Sequence, residues 1–346
     1  MPLNSYIEKG LLEDETNIVD KLDKNSLFMN VVEDIKVNNK YYSIPSLFNV
    51  KLILNEKASD IDSLEKLSSK IEEISNNSQN VLQTFTAEEL TYLLYDSCGD
   101  KWIKDNKIDT NEIKQFLQYT KNIYNVTKDK HTKDKIDEHA KDAEEYVQEY
   151  ENKYSNYYLD TNNYFDQFSS KPNSIDIIKA YSSDEFIYLS SLKSKYSNVN
   201  YEIWKGQNGG KAIPKISLAI NSKSKNKDIA KEFITNVFLD EYQERNCFGI
   251  SMNKDVVKKN INETISRKFV QSGQGDTYIR IDLDNCDEED VNQIINKLSS
   301  CGCVTGISKD VLELSIDSIV NYLEGKSNID KAVEDITKEL DIYLNE

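Results

Sequence analysis

The stretch that most constrains this chain is Tyr201 to Arg245, YEIWKGQNGGKAIPKISLAINSKSKNKDIAKEFITNVFLDEYQER. A Gly-broken aromatic loop, Trp204 to Gly210, leads into a strand whose apolar residues alternate at Ile216, Leu218 and Ile220. A polar turn follows, and Asn226 stands where a helix N-cap belongs. Beyond it Ile229, Ala230, Phe233, Ile234, Val237, Phe238 and Tyr242 form one stripe at helical spacing. The expected unit is a strand and a helix packed together, with a ligand-sized loop at its mouth.

The rest of the chain is organised around that unit. Tyr41 to Asn55 reads as extended, and Pro45 within it points to an edge strand or a crossing between domains. Ser59 to Tyr158 reads as helical: Ile61, Leu64, Leu67, Ile71 and Ile74 share one face, Leu90 to Leu94 belong to a second helix, and Ile113, Phe116, Leu117, Thr120 and Ile123 to a third. Lys128 to Glu151 is a densely charged helical stretch, and Tyr154 to Tyr164 has no period and reads as loop. Ile175 to Ser191 is expected to hold a strand, and Tyr196 to Trp204 a return crossing. Three helices close the chain, over Asp287–Ser300, Ile307–Gly325 and Asn328–Glu346, the last capped by Asn328.

Composition excludes several classes. The 60 acidic residues outnumber 43 basic ones, for a net charge of −17, which is the wrong balance for neutralising phosphates and argues against a nucleic-acid partner. Five scattered cysteines are not a disulfide framework, and Cys301-Gly-Cys303 lacks the second pair that a structural zinc site needs. No metal and no cofactor is expected. His131 and His139 lie among Lys and Asp and read as solvated. The run Gly206 to Ala212 is one residue short of a phosphate-binding loop and has Ala where its hydroxyl belongs, and the Asp282 to Asp290 cluster lacks the Gly and closing Glu of a calcium loop. No nucleophile motif occurs, so no catalytic residue is assigned.

Taken in order, these segments resemble the extracellular solute-binding proteins of the carbohydrate-uptake type, which serve ABC importers. LNSYIEKGLLED near the start, NNKYYSIPSLFNVKLILN, LAINSKSKNKDIAKEFI and the closing YLEGKSNIDKAVEDITKELDIYLNE carry the likeness. The resemblance implies an α/β protein with the two-lobed, periplasmic-binding-protein-like (type II) fold, a helix-rich second lobe and a first lobe lacking its opening strands. It divides the chain into residues 1–49 and 200–250 in lobe 1, and 50–199 and 251–346 in lobe 2.

The function it implies is capture of a sugar or oligosaccharide between the lobes by a monomer that delivers it to a permease. Such a protein is extracellular and lipid-anchored, although MPLNSYIEKG shows no signal peptide. By position in the resembling segments, Trp204 and Phe48 are expected to stack on sugar faces. Gln207, Asn208, Ser46 and Asn49 would bond hydroxyls, and Tyr42 would do either. A glycan-active enzyme using paired carboxylates, or a helical scaffold protein, stays open beside this reading.

Overall fold

The computed structural model describes residues 3–76, 85–104, 107–128, 175–195, 200–244, 249–274, 277–283 and 287–345. The charged stretch after Lys128, the Tyr-rich run, both histidines, Cys247 and Cys286 lie outside the described residues.

The chain opens with three short helices, α1 (Leu3–Glu8), α2 (Thr16–Val19) and α3 (Met29–Glu33). They lead into the long strand β1 (Ile44–Leu54) and then the helices α4 (Leu64–Asn76) and α5 (Ala87–Tyr95). A single tight turn at Gly99–Lys101 precedes the hairpin β2 (Ile103–Lys104) and β3 (Lys107–Ile108), which runs into α6 (Thr110–Thr127). Next come β4 (Asp176–Ala180), α7 (Asp184–Lys195), β5 (Tyr201–Ile203) and β6 (Lys211–Leu218). They are followed by α8 (Lys227–Val237), α9 (Asp240–Gln243), β7 (Ile250–Ser251) and α10 (Lys254–Ser266). The chain ends with the hairpin β8 (Phe269–Gln274) and β9 (Thr277–Asp282), then α11 (Glu288–Ser299), β10 (Gly302–Cys303), α12 (Gly306–Leu323) and α13 (Ile329–Asn345).

Every residue of β1 is buried, and its partners change along its length. Ile44 to Val50 pair antiparallel with β6, and Leu47 and Phe48 also pair with β7. Val50 to Leu54 pair with β4, and Leu52 to Leu54 also with β5. The strand is therefore central, not at the edge that Pro45 suggested. Pro45 is tolerated because it is the second residue of the strand, beside a register shift that relieves the missing N–H.

Side chains alternate across a strand, so β1 feeds two cores. Phe48, Val50, Leu52 and Leu54 enter one, with Val32 of α3, Phe186 of α7, Ile234 of α8, Ile261 of α10 and Leu298 of α11. Ile53 enters the other, with Leu67 of α4, Leu94 of α5, Phe116 of α6, Ile319 of α12 and Ile336 of α13. Such two-sided burial is why β1 reads as a nearly continuous apolar run.

The helix ends follow local chemistry. Thr86 and Glu89 make a reciprocal capping box on α5, Asp287 and Asp290 make one on α11, and Asn328 accepts from the Lys331 amide at 2.9 Å on α13. Asn226 stands at the N-cap of α8, but its side chain makes no capping bond. The expected α8 stripe is only half used: Ile234 and Phe238 are buried, whereas Ile229 and Phe233 are 68% and 59% exposed. Ile216 of β6 is exposed as well, against the expectation of an inward-facing alternation.

Candidate functional site

Of the segment expected to form the ligand loop, Trp204 and Gly206 are buried, Gln207, Asn208 and Gly210 are half-buried, and Lys205 and Gly209 are exposed. Trp204 is fully buried in the second core, because it follows Tyr201 and Ile203, which point to the first core, and so falls on the opposite face of the sheet. Its backbone N–H donates to the Lys51 carbonyl at 2.8 Å, and its carbonyl accepts from the Ser97 hydroxyl. Phe48 is equally sealed, edge-on to Phe28 at 5.4 Å between ring centres. In this arrangement neither ring shows a face to a solute.

The remaining expected residues do not converge. Ser46 and Asn49 are buried on β1, Ser46 with a long bond to the Ile216 carbonyl and Asn49 with an unpartnered side-chain oxygen. Tyr42 is half-buried before the strand. Gln207 bonds Gln115 at 3.4 Å, and the Asn208 amide donates to the Ser97 carbonyl at 2.9 Å while its side chain has no partner. Gly206 must be glycine here: φ is +51°, and a Cβ would sit 2.4 Å from the Ser97 carbonyl oxygen.

What the fold does bring together is a cavity of about 230 Å³ whose lining draws on both cores. One wall is Asp34, just after α3, with Lys211 at the start of β6 and Cys303 of β10. The other is the Gly99–Asp100 turn, Ile103, and Thr305, Ser308 and Val311 at the start of α12. The parallel pairing of Cys303 with Ala212 holds the first wall together. The second is anchored by Tyr95, Trp102 and Phe116, whose rings meet edge-on at 5.2–6.0 Å. Gly99 lets Tyr95 approach, since a Cβ there would meet the ring at 2.1 Å.

The cavity is polar and poorly satisfied. Lys211 forms an ion pair with Asp100 across it, both side chains mostly buried. The second Asp100 oxygen is buried without a donor. Asp34 accepts the Cys303 amide at 2.9 Å, and no cation pairs with it among the described residues. A Cβ at Gly302 would stand 2.8 Å from the Asp34 carboxylate and 3.1 Å from the Lys211 ammonium, so the absent side chain leaves these charges their room.

Behind the wall, burial raises the Tyr95 phenol well above its ordinary pKa, with a hydrogen bond to the Ser308 side chain pulling the other way. Thr305 caps α12, its hydroxyl accepting from the Ser308 amide at 3.2 Å. The first turn of that helix therefore directs its partial positive charge toward the same space.

Two carboxylates and two hydroxyls against one ammonium make an arrangement suited to a solute that donates hydrogen bonds, and nothing in it resembles a nucleophile with its base. Cys98, Cys301 and Cys303 are free, and burial pushes each thiol up to about 12, so none is an activated thiolate. Among the described residues no group of three or more His, Cys, Asp or Glu is placed to hold a metal ion, and no helix is long and apolar enough to cross a membrane.

None of the lining residues carried a local signal. Lys211 drew notice only within the rejected phosphate loop, and Cys303 only within Cys-Gly-Cys. Asp34, Asp100 and Ser308 become visible once the topology joins four separated pieces of chain.

No family model matches the sequence, and no curated protein matches it. Solved structures do. The chain is similar to the sugar-binding protein MalE of Xanthomonas citri at a TM-score of 0.62 and 13% identity, over 99% of this chain and 81% of that one. It is similar to an ABC transporter solute-binding protein of Thermotoga lettingae bound with α-D-tagatose at 0.56 and 13%, over 98% and 82%. It is also similar to the extracellular solute-binding protein family 1 member of Alicyclobacillus acidocaldarius at 0.52 and 12%, over 99% and 81%. At such identities the likeness speaks for architecture, and this chain has the two-lobed α/β fold of the periplasmic-binding-protein type.

Proposed function

We propose that this chain is the extracellular solute-binding component of an ABC importer, and that it carries a sugar in the cavity between its two cores to a membrane permease. The observation that carries the reading is the origin of the lining: Cys303 belongs to the first core, and Ile103 and Val311 to the second. A solute held there touches both halves, so it binds the closed form better than the open one. Only such a difference in affinity can drive closure.

The fold and the sugars named for proteins that share it support the ligand class. The closed form would be what the permease recognises, so the work is done by binding alone and the chain needs no cofactor.

A thermal-shift screen of the protein against neutral sugars tests this. A ligand at about 100 times its Kd adds about 2.7 kcal/mol to the folded state, enough to raise the melting temperature by a few degrees. A panel of sugars that leaves the melting temperature unmoved, with amino acids or peptides raising it instead, would replace the sugar by another solute.

A further inference from the structure

We infer that the chain carries a second binding site, for a compact oxyanion (a carboxylate or a phosphate), where Lys179 at the end of β4, Lys215 of β6 and Lys309 of α12 gather around Tyr181; none of these residues lines the cavity proposed for the sugar.

The sheet assembles the cluster. The Tyr181 ring has the Lys179 ammonium 5.5 Å from its centre and the Lys215 ammonium 5.2 Å from it. Lys215 comes from β6, opposite the register shift between Leu47 and Phe48 of β1. Lys309 is the fourth residue of α12, close enough for its charge to act on Lys179.

The positive charge is poorly compensated. β1 and β4 set Lys51 directly across from Lys179, an arrangement in which like charges repel. Asp96 relieves Lys51 at 2.8 Å, whereas neither Lys179 nor Lys309 has a carboxylate within ion-pair distance among the described residues. The Tyr181 ring attracts the ammoniums through its face but has no net charge to cancel theirs. Burial first, and then the charges of Lys51, Lys215 and Lys309, bring the Lys179 ammonium down to about 8, with Asp96 pulling the other way.

An anion relieves every part of this. It neutralises the crowded ammoniums, and it suits the first turn of α12, where the helix dipole disfavours a lysine and favours negative charge. Ammonium-to-oxyanion hydrogen bonds are the strong, charge-assisted kind. Lys179 is half-buried while Lys215 and Lys309 are exposed, so the site opens to solvent.

Isothermal titration of the full chain at low salt with inorganic phosphate, D-glucose 6-phosphate, D-glucuronate and D-glucose tests the inference. One-site heat from at least one of the three anions is expected, falling as salt is added. The double variant Lys215→Gln, Lys309→Gln should weaken that binding tenfold or more. Both positions are exposed, so melting curves should show the variant folded like the parent. Heat from the phosphates alone, from glucuronate alone or from all three supports the site and names the group it takes.

Silence from all three anions, or heat unchanged in the double variant, would overturn the inference. A neutral sugar should bind the variant and the parent alike, and its loss from the variant would overturn the separation of the two sites. Anion binding without any neutral-sugar binding would leave this site standing while the sugar reading fails.

Discussion

The ammonium of Lys51, on the central strand, lies 2.8 Å from the Asp96 carboxylate and donates to the carbonyls of Tyr92 and Leu93 at 2.6 and 2.8 Å. Lys51 points to the same face of β1 as Ile53, and there it meets the C-terminal end of α5, where unpaired carbonyls and the helix dipole favour a cation. Only 6% of its side chain is exposed. This one residue fastens α5, and through it the Gly99–Asp100 turn, to the sheet.

Lys51→Met keeps the aliphatic stem but strands Asp96 and two carbonyls without their donor. Removing one partner of a buried ion pair costs about 3 kcal/mol or more. Urea denaturation should show that loss in the midpoint with an unchanged slope, because the surface exposed on unfolding stays the same.

Stability should fall as pH rises from about 5 to about 8. Burial raises the carboxyls of Asp176 and Glu15 to about 7 and that of Glu185 to about 8. The folded chain thus holds protons that the unfolded chain has released near pH 4. Their contribution is complete below the unfolded pKa values and is lost as pH passes through the folded ones. Asp176→Asn should flatten this decline and stabilise the protein at pH 8, by up to about 4 kcal/mol for a shift of this size. Melting curves at half-unit pH steps check it; an unchanged slope in the variant would contradict the assignment.

Trp204→Ala should cost about 3–5 kcal/mol, as large truncations in a sealed core do. Trp204→Phe should lower stability by less and leave sugar affinity within about twofold, since the ring lies in the second core and not in the cavity. Acrylamide should quench the fluorescence of Trp102 and Trp204 poorly, because both are fully buried.

The double variant Ile229→Lys, Phe233→Lys should be nearly neutral, within about 0.5 kcal/mol per site, because both side chains are majority-exposed on α8. Ile234→Ala on the buried face of the same helix should cost about 2–5 kcal/mol. Parallel chemical denaturation of the two variants separates the faces.

The elements of this fold were largely legible where period and capping agree. The spacing of Ile329, Val333, Ile336, Leu340 and Tyr343 behind Asn328 marked α13, and the structure buries Ile336 and Leu340 as that spacing requires. Periodicity could not say which flank of a wide stripe meets the core, so Ile229 and Phe233 were expected inside and lie outside. Nor could a single strand disclose that its sheet is covered on both faces. Trp204 looked free to stack on a ligand because nothing local reveals the second core beneath it. The cavity itself had no local signature, since Asp34, Asp100, Lys211 and Ser308 meet only through β6, β10 and the packing of α12 on α5.

The most direct test of the account is a crystal structure of the chain with a sugar that raises its melting temperature. The account expects density for the sugar in the cavity lined by Asp34, Lys211, Asp100 and Ser308. Density elsewhere on the chain, with this cavity filled only by water, would contradict it.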